Sequence, residues 1–227
     1  MNNKTQAFTE ALLDGDHGAA FSIVRDVRRE NGRLALFQDL ITPSMYTIGY
    51  KWEQGDITVA EEHLATGVCD FVLTQLEYEL VSQSKQIDAD PKALFFSMEN
   101  EKHYLGLKMV SILFRERGWN VKFLQSDLPV ELALEEASRW NPSVIGLSFS
   151  LSYRAEELSR YLEGFHKQSN GADILVGGRL VSKFDFSAIA AKTTFLKDLH
   201  ELTAWFKTTE RTGRDEANEQ SNTTSVI

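Results

Sequence analysis

Over the first 86 residues the apolar side chains recur at intervals of three and four. Phe37, Leu40, Ile41, Met45, Ile48 and Trp52 form one such stripe, the spacing of an amphipathic helix. Pro43 falls inside it and predicts either a kink or the first turn of a new helix capped by Thr42. Upstream, a helix closing on Ala11, Leu12 and Leu13 is expected to stop at Asp14-Gly15-Asp16, and a second, Ala19 to Glu30, at Asn31-Gly32. After a turn at Gly55-Asp56, a helix from Thr58 to about Ser82 puts Val59, Glu62, Thr66, Cys69, Leu73, Leu76 and Leu80 on one face. Short connections between amphipathic helices predict a four-helix bundle over residues 1–86.

The pattern then changes. The polar, proline-containing stretch Lys85–Pro91 reads as a linker. Beyond it, short apolar runs at Ala93–Met98, Val121–Leu124, Val144–Ser148 and Ile174–Val176 alternate with helical stretches at Gly106–Arg117, Val130–Trp140 and Ala155–Gln168, and a last helix from Lys197 to Thr208. Strand–helix alternation predicts a parallel sheet covered on both faces, a flavodoxin- or Rossmann-like α/β domain over residues 87–208. Residues 209–227 are polar and are expected to be a disordered tail.

Composition narrows the function. The 227 residues are 42% hydrophobic and 11% aromatic, ample for a packed core, and carry a net charge of −9. With no block of Lys and Arg to match a phosphate backbone, direct nucleic-acid binding is not expected. Cys69 is the only cysteine, which excludes an intramolecular disulfide and a multi-cysteine zinc site. No apolar run approaches the roughly 20 residues of a membrane span, and the N-terminus lacks an apolar signal region. A soluble, cytoplasmic protein is expected.

Open α/β sheets bind ligands beyond the carboxyl ends of their strands, and three segments fall there. They are Glu101-Lys102-His103-Tyr104-Leu105-Gly106, Ser148-Phe149-Ser150 and Gly177-Gly178. A loop histidine can offer one ring nitrogen to a metal while the other donates to a carboxylate, here Glu101, which fixes the tautomer and raises basicity. The glycines admit close approach of a bulky ligand, and the serine hydroxyls can hydrogen-bond it. In the helical half Glu62 falls on an apolar stripe, where a carboxylate is costly unless paired or set beside a ligand cavity. His63 follows it, and Trp52 ends the preceding stripe. His17, His166 and His200 read as surface residues and Cys69 as core filler.

The three loop segments resemble the cobalamin-binding domain shared by methionine synthase, the corrinoid mutases and several regulators. That family carries Asp-x-His-x-x-Gly, then Ser-x-Leu, then Gly-Gly. Here Glu101-x-His103-x-x-Gly106 is followed after 41 residues by Ser148-x-Ser150, and after 26 more by Gly177-Gly178. The resemblance implies a base-off, histidine-on cobalamin, with His103 replacing the cofactor's dimethylbenzimidazole as cobalt ligand. Its nucleotide tail would enter a slot lined by Gly106, Ser148, Gly177 and Gly178. Glu101 stands where aspartate is usual and Ser150 where leucine or threonine is, so the carboxylate–imidazole bond is expected to be re-aimed and the slot altered.

Residues Gly49–Ala65 are similar to the helical cap of cobalamin-dependent light-sensing repressors, in which nine residues separate a tryptophan from a Glu-His pair. Trp52, Glu62 and His63 match that spacing. The resemblance implies that they enclose the upper axial group, so that adenosylcobalamin is the expected form. Glu53 stands where light-sensing members have a histidine that captures cobalt after photolysis, which leaves His63 as the nearest substitute. The implied function is a light-responsive cobalamin sensor. With no helix-turn-helix read ahead of the cap, it is expected to act on a partner transcription regulator, by changing that partner's surface or its own oligomeric state. The alternatives are a corrinoid carrier of a methyltransferase system and a cofactor-free interaction module.

Overall fold

The computed structural model describes residues 3–83, 91–125, 127–150, 155–168, 171–181, 183, 186 and 192–209. Residues 85–90 of the expected linker and residues 210–227 of the expected tail lie outside them. Helix α1 (Asn3–Leu13) ends before Gly15, whose φ of 70° suits the turn. Asp16 then caps α2 (His17–Ala35), accepting from Ala19 N at 2.9 Å. Gly32, at φ 79°, breaks α2 where Asn31-Gly32 predicted an end. Beyond the break the chain re-enters helix and passes through a π-helical turn, Leu36–Ile41, into α3 (Thr42–Gln54). Pro43 therefore opens a helix instead of kinking one: in the first turn its missing N–H is no loss. Helix α4 (Val59–Val81) begins with a capping box, in which Glu61 N donates to Thr58 Oγ1 and Thr58 N donates to Glu61 Oε2.

The second half is a five-stranded sheet of β1 (Lys92–Ser97), β2 (Asn120–Phe123), β3 (Val144–Ser148), β4 (Asp173–Gly177) and β5 (Thr193–Leu196). The strand order is β2-β1-β3-β4-β5, and every pairing is parallel. Helices α5 (Leu105–Glu116), α6 (Val130–Trp140) and α7 (Ala155–Gln168) connect the strands, and residues 199–209 form α8. The order reverses between β1 and β3, so a crevice opens there at the carboxyl end of the sheet. Strand β5, a short edge strand beginning Thr-Thr, has too little apolar pattern to be read from the sequence.

Alternation along the strands divides the interior. Phe95 and Leu175 face the helical half and share one core with Phe8, Leu12, Phe37, Leu73, Leu76, Ile112 and Phe114. Phe96, Leu147 and Val176 face the other way, against Tyr161, Leu162 and Phe165. The helical half thus has no core of its own. It is also tied to the sheet by a buried cation: Lys108 of α5, 3% exposed, donates to Asp70 Oδ1 at 2.6 Å and Thr74 Oγ1 at 2.7 Å, both on α4. Burial and the nearby Asp70 carboxylate push the Tyr104 hydroxyl up to about 12. Beside it Arg115 Nε donates to Glu77 Oε1 at 2.8 Å. Among the described residues no helix is long and apolar enough to cross a membrane.

Candidate functional site

All three loop segments sit at the carboxyl edge of the sheet and are bonded to one another. Glu101 is buried, and its Oε1 accepts from His103 N at 2.9 Å and from His103 Nδ1 at 2.6 Å. Its Oε2 accepts from Ser150 N at 3.2 Å, across the crevice. Ser148 Oγ donates to the His103 carbonyl at 3.2 Å. On the far side, Gly178 lies against the Phe149 backbone so closely that an added Cβ would be 2.1 Å from Phe149 O. Glu101 thus holds the histidine with one oxygen and reaches the loop after β3 with the other.

A carboxylate only accepts, so in the neutral imidazole Nδ1 carries the hydrogen and Nε2 presents its lone pair. The His103 side chain is 46% exposed, and Nε2 has no partner among the described residues. The loop behind it is held at three points. Tyr161 of α7 accepts from Glu99 N at 3.1 Å and donates to Leu128 O, Asp127 Oδ1 accepts from Asn100 N at 2.7 Å, and Glu101 N donates to Met98 O at 3.0 Å. The imidazole is presented outward on a fixed backbone.

Burial pushes the Glu101 carboxyl up, but the hydrogen bonds from the His103 ring and backbone and from Ser150 N outweigh it and hold the group below its ordinary value. A carboxyl lower in the folded than in the unfolded state adds stability above its unfolded value, about 4.3, and loses it as pH falls through the folded one. Glu101→Gln should therefore be less stable than wild type at pH 7, with the gap narrowing below about pH 4.3. Thermal melts across that range check this, and a gap independent of pH would refute it.

In the helical half, Glu62 Oε2 pairs with His63 Nδ1 at 2.7 Å and Oε1 accepts from Thr66 Oγ1 at 2.9 Å. Both residues and Trp52 are at least partly exposed, and no hydrogen bond joins them to the His103 loop among the described residues. The stripe that carries Glu62 differs from expectation at its start. Val59 is 55% exposed, and burial begins at Ala65. The first turns of α4 stand clear of the core. They share this end of the bundle with α3, whose Gly49 lies against Arg179, the residue after Gly178. Trp52, one turn further along α3, is 49% exposed.

Sequence reasoning missed Tyr161, Tyr104 and Asp70, because their contacts join elements far apart in the chain. It also missed Ser97, which ends β1 with its Oγ fully buried and without a hydrogen-bond partner among the described residues.

Two family models match the chain, each described as a B12 binding domain, one over residues 5–77 and the other over residues 91–195. The chain belongs to the proteins built from a helical and an α/β B12 binding domain. It is similar to two HTH-type transcriptional repressors of Myxococcus xanthus. CarA is 30% identical over 122 residues, 54% of this chain and 41% of the repressor; CarH is 25% identical over 146 residues, 64% and 47%. The chain thus spans less than half the length of either repressor. A corrinoid protein of Desulfitobacterium hafniense (strain Y51) is 23% identical over 177 residues, 74% of this chain and 80% of that one. In fold, the chain matches the Methanosarcina barkeri monomethylamine corrinoid protein with a TM-score of 0.67 at 16% identity, over 86% of this chain and 92% of that one.

The residues fit a corrinoid. Among the described residues no three His, Cys, Asp or Glu side chains gather as ligands for a bare ion. One imidazole nitrogen suits a metal whose equatorial positions a macrocycle already fills. The open side of Gly106, where an added Cβ would meet nothing within 4 Å, leaves room for a bulky ligand beside it.

Proposed function

We propose that this chain is a cobalamin-binding sensor that holds adenosylcobalamin base-off, with His103 Nε2 as the cobalt ligand and a partner transcription regulator as its output. The observation that carries this is the Glu101–His103 pair, which leaves one outward ring nitrogen on a rigid loop. Gly106, Ser148, Ser150, Gly177 and Gly178 would take the nucleotide tail, and Trp52, Glu62 and His63 would wall the upper axial group. The cofactor supplies a cobalt–carbon bond that light can break. The residues of this chain do the rest. Glu101 fixes the imidazole tautomer, Ser148 and Ser150 hold the loop's backbone and carboxylate, and the α3–α4 edge encloses the other face. Similarity to two transcriptional repressors supports a regulatory role. In domain terms, residues 1–86 act as the cap, 87–208 as the cobalamin-binding domain and 209–227 as a tail.

A second reading, a corrinoid carrier serving a methyltransferase, is favoured by the Desulfitobacterium hafniense relative, which this chain matches over 80% of its length. One experiment tests both. Protein loaded with adenosylcobalamin in the dark should show a histidine-on spectrum, which illumination changes. His103→Ala should lose that signature and bind more weakly. An unchanged spectrum and affinity in the variant would sink histidine ligation. Illumination that changes the spectrum but leaves elution on size exclusion unaltered would move the assignment to the carrier.

A further inference from the structure

Helix α4 turns an uncharged stripe outward. A surface helix ordinarily keeps its charged residues on the side away from the core. Here Ala60, Leu64, Gly67, Phe71, Thr74 and Tyr78 are all exposed, and they follow one another at alternating steps of four and three. That is the spacing of a coiled-coil seam. The acidic residues of the helix, Glu61, Glu62, Asp70, Glu77 and Glu79, all lie off it. Thr74 adds no free polar group, since its hydroxyl donates to Asp70 O at 2.9 Å and accepts from Lys108 Nζ at 2.7 Å.

Gly67 is a second, independent observation. It stands in the middle of α4, where glycine weakens a helix relative to alanine. It makes no turn, because its φ is not in the left-handed region, and an added Cβ would meet nothing within 4 Å. Nothing within the chain therefore requires a glycine there. It is an open notch in an apolar ridge. One turn on, Phe71 is a knob held in place edge-on by His17, with ring centroids 5.0 Å apart.

We propose that α4 packs antiparallel against α4 of a second copy of this chain, about a twofold axis at the level of Cys69. In that register Gly67 faces Phe71 of the other copy, Leu64 faces Thr74 and Ala60 faces Tyr78, each pair occurring twice by symmetry. Every layer sets a large side chain opposite a small one, so the helices interdigitate. A parallel pair would instead put Phe71 on Phe71 and Gly67 on Gly67, a clash beside a gap. Charge agrees with this. At a net charge of −9 two copies repel unless their contact is neutral. Asp70, Glu77 and Glu79 beside the seam are already paired with Lys108, Arg115 and Arg28. The two copies of Glu61 would lie about 24 Å apart along the axis, beyond a screening length of about 8 Å. The paired stretch is about 27 Å long and one helix wide, below the size of a standard interface, so the dimer is reversible and micromolar. Glu62, about 200° round the helix from Ala60, is left free, and the pairing does not depend on the cofactor.

Sedimentation equilibrium of the full chain across a micromolar concentration series tests this. The mean mass should climb from that of one chain toward that of two. Gly67→Gln fills the notch with a good helix former. It should weaken the dimer at least tenfold, yet melt no lower than wild type at dilutions where both are single chains. Ala60→Cys combined with Tyr78→Cys should give a covalent dimer on mild oxidation, and neither change alone should. Cys69 does not compete, being buried with its thiol pushed up to about 12. A chain that stays single throughout the series would overturn the proposal and leave the stripe to a partner of other sequence. Cross-linking by either cysteine alone would overturn it in favour of parallel pairing. A dimer that Gly67→Gln leaves at full strength would overturn it in favour of another surface.

Discussion

With alanine in place of Asp70, the chain should melt about 10 °C or more below wild type. Lys108 is 3% exposed, and its ammonium is held by the Asp70 carboxylate and the Thr74 hydroxyl between α4 and α5. Removing one partner of a buried pair leaves an uncompensated charge and costs about 3–5 kcal/mol. At this chain length each kcal/mol is worth roughly 2–4 °C. The reverse deletion, Lys108→Met, should cost less, since the Asp70 side chain keeps 27% of its exposure and can be hydrated. The double variant should recover most of the Asp70→Ala loss, because no buried charge remains. A double variant as unstable as Asp70→Ala would show that Lys108 contributes packing and not charge.

Gly178→Ala should be destabilised by about 3 kcal/mol or more. Two independent causes add. Its φ of 130° is open to glycine and strained for any L side chain, at about 1–3 kcal/mol. The new methyl would also stand 2.1 Å from Phe149 O and 2.7 Å from Phe149 C, which are backbone atoms and cannot turn aside. The loops after β3 and β4 would have to part. Gly177→Ala is the control, because its added Cβ would meet only Leu196 O at 3.8 Å. Denaturant melts should separate the two clearly, and a Gly178→Ala chain as stable as the control would refute this account.

What the sequence made legible was periodic or local. The 3.6-residue stripes located the four N-terminal helices, and the β1–β4 runs were recognisable because central parallel strands are continuously apolar. Asp14-Gly15-Asp16, Thr58 and Pro43 marked their boundaries through chemistry confined to one turn. The π-helical turn at Leu36–Ile41 and the edge strand β5 escaped, since neither departs enough from its surroundings in composition. At the site, motif spacing singled out Glu101, His103, Ser148, Ser150, Gly177 and Gly178, and the structure brings all six together. Trp52, Glu62 and His63 came from the same kind of pattern, but the contacts among described residues tie only the last two to each other. Ser97 could not be singled out, because a serine closing a strand is unremarkable until its neighbours in space are known.

The core shared by the α1–α4 helices and one face of the sheet bears on how binding would be felt across the molecule. A cap resting on its own core could loosen while the sheet stayed intact, and occupancy at the carboxyl edge would protect the sheet alone. Here Phe37, Leu73 and Leu76 pack in the same cluster as Phe95 and Phe114. Free energy gained from a ligand bound only by the folded chain, RT ln(1 + [L]/Kd), is therefore spread over one cooperative unit. Amide hydrogens in α1, remote in sequence from His103, would slow their exchange on loading as much as those of β1, and calorimetry would record a single transition moving upward.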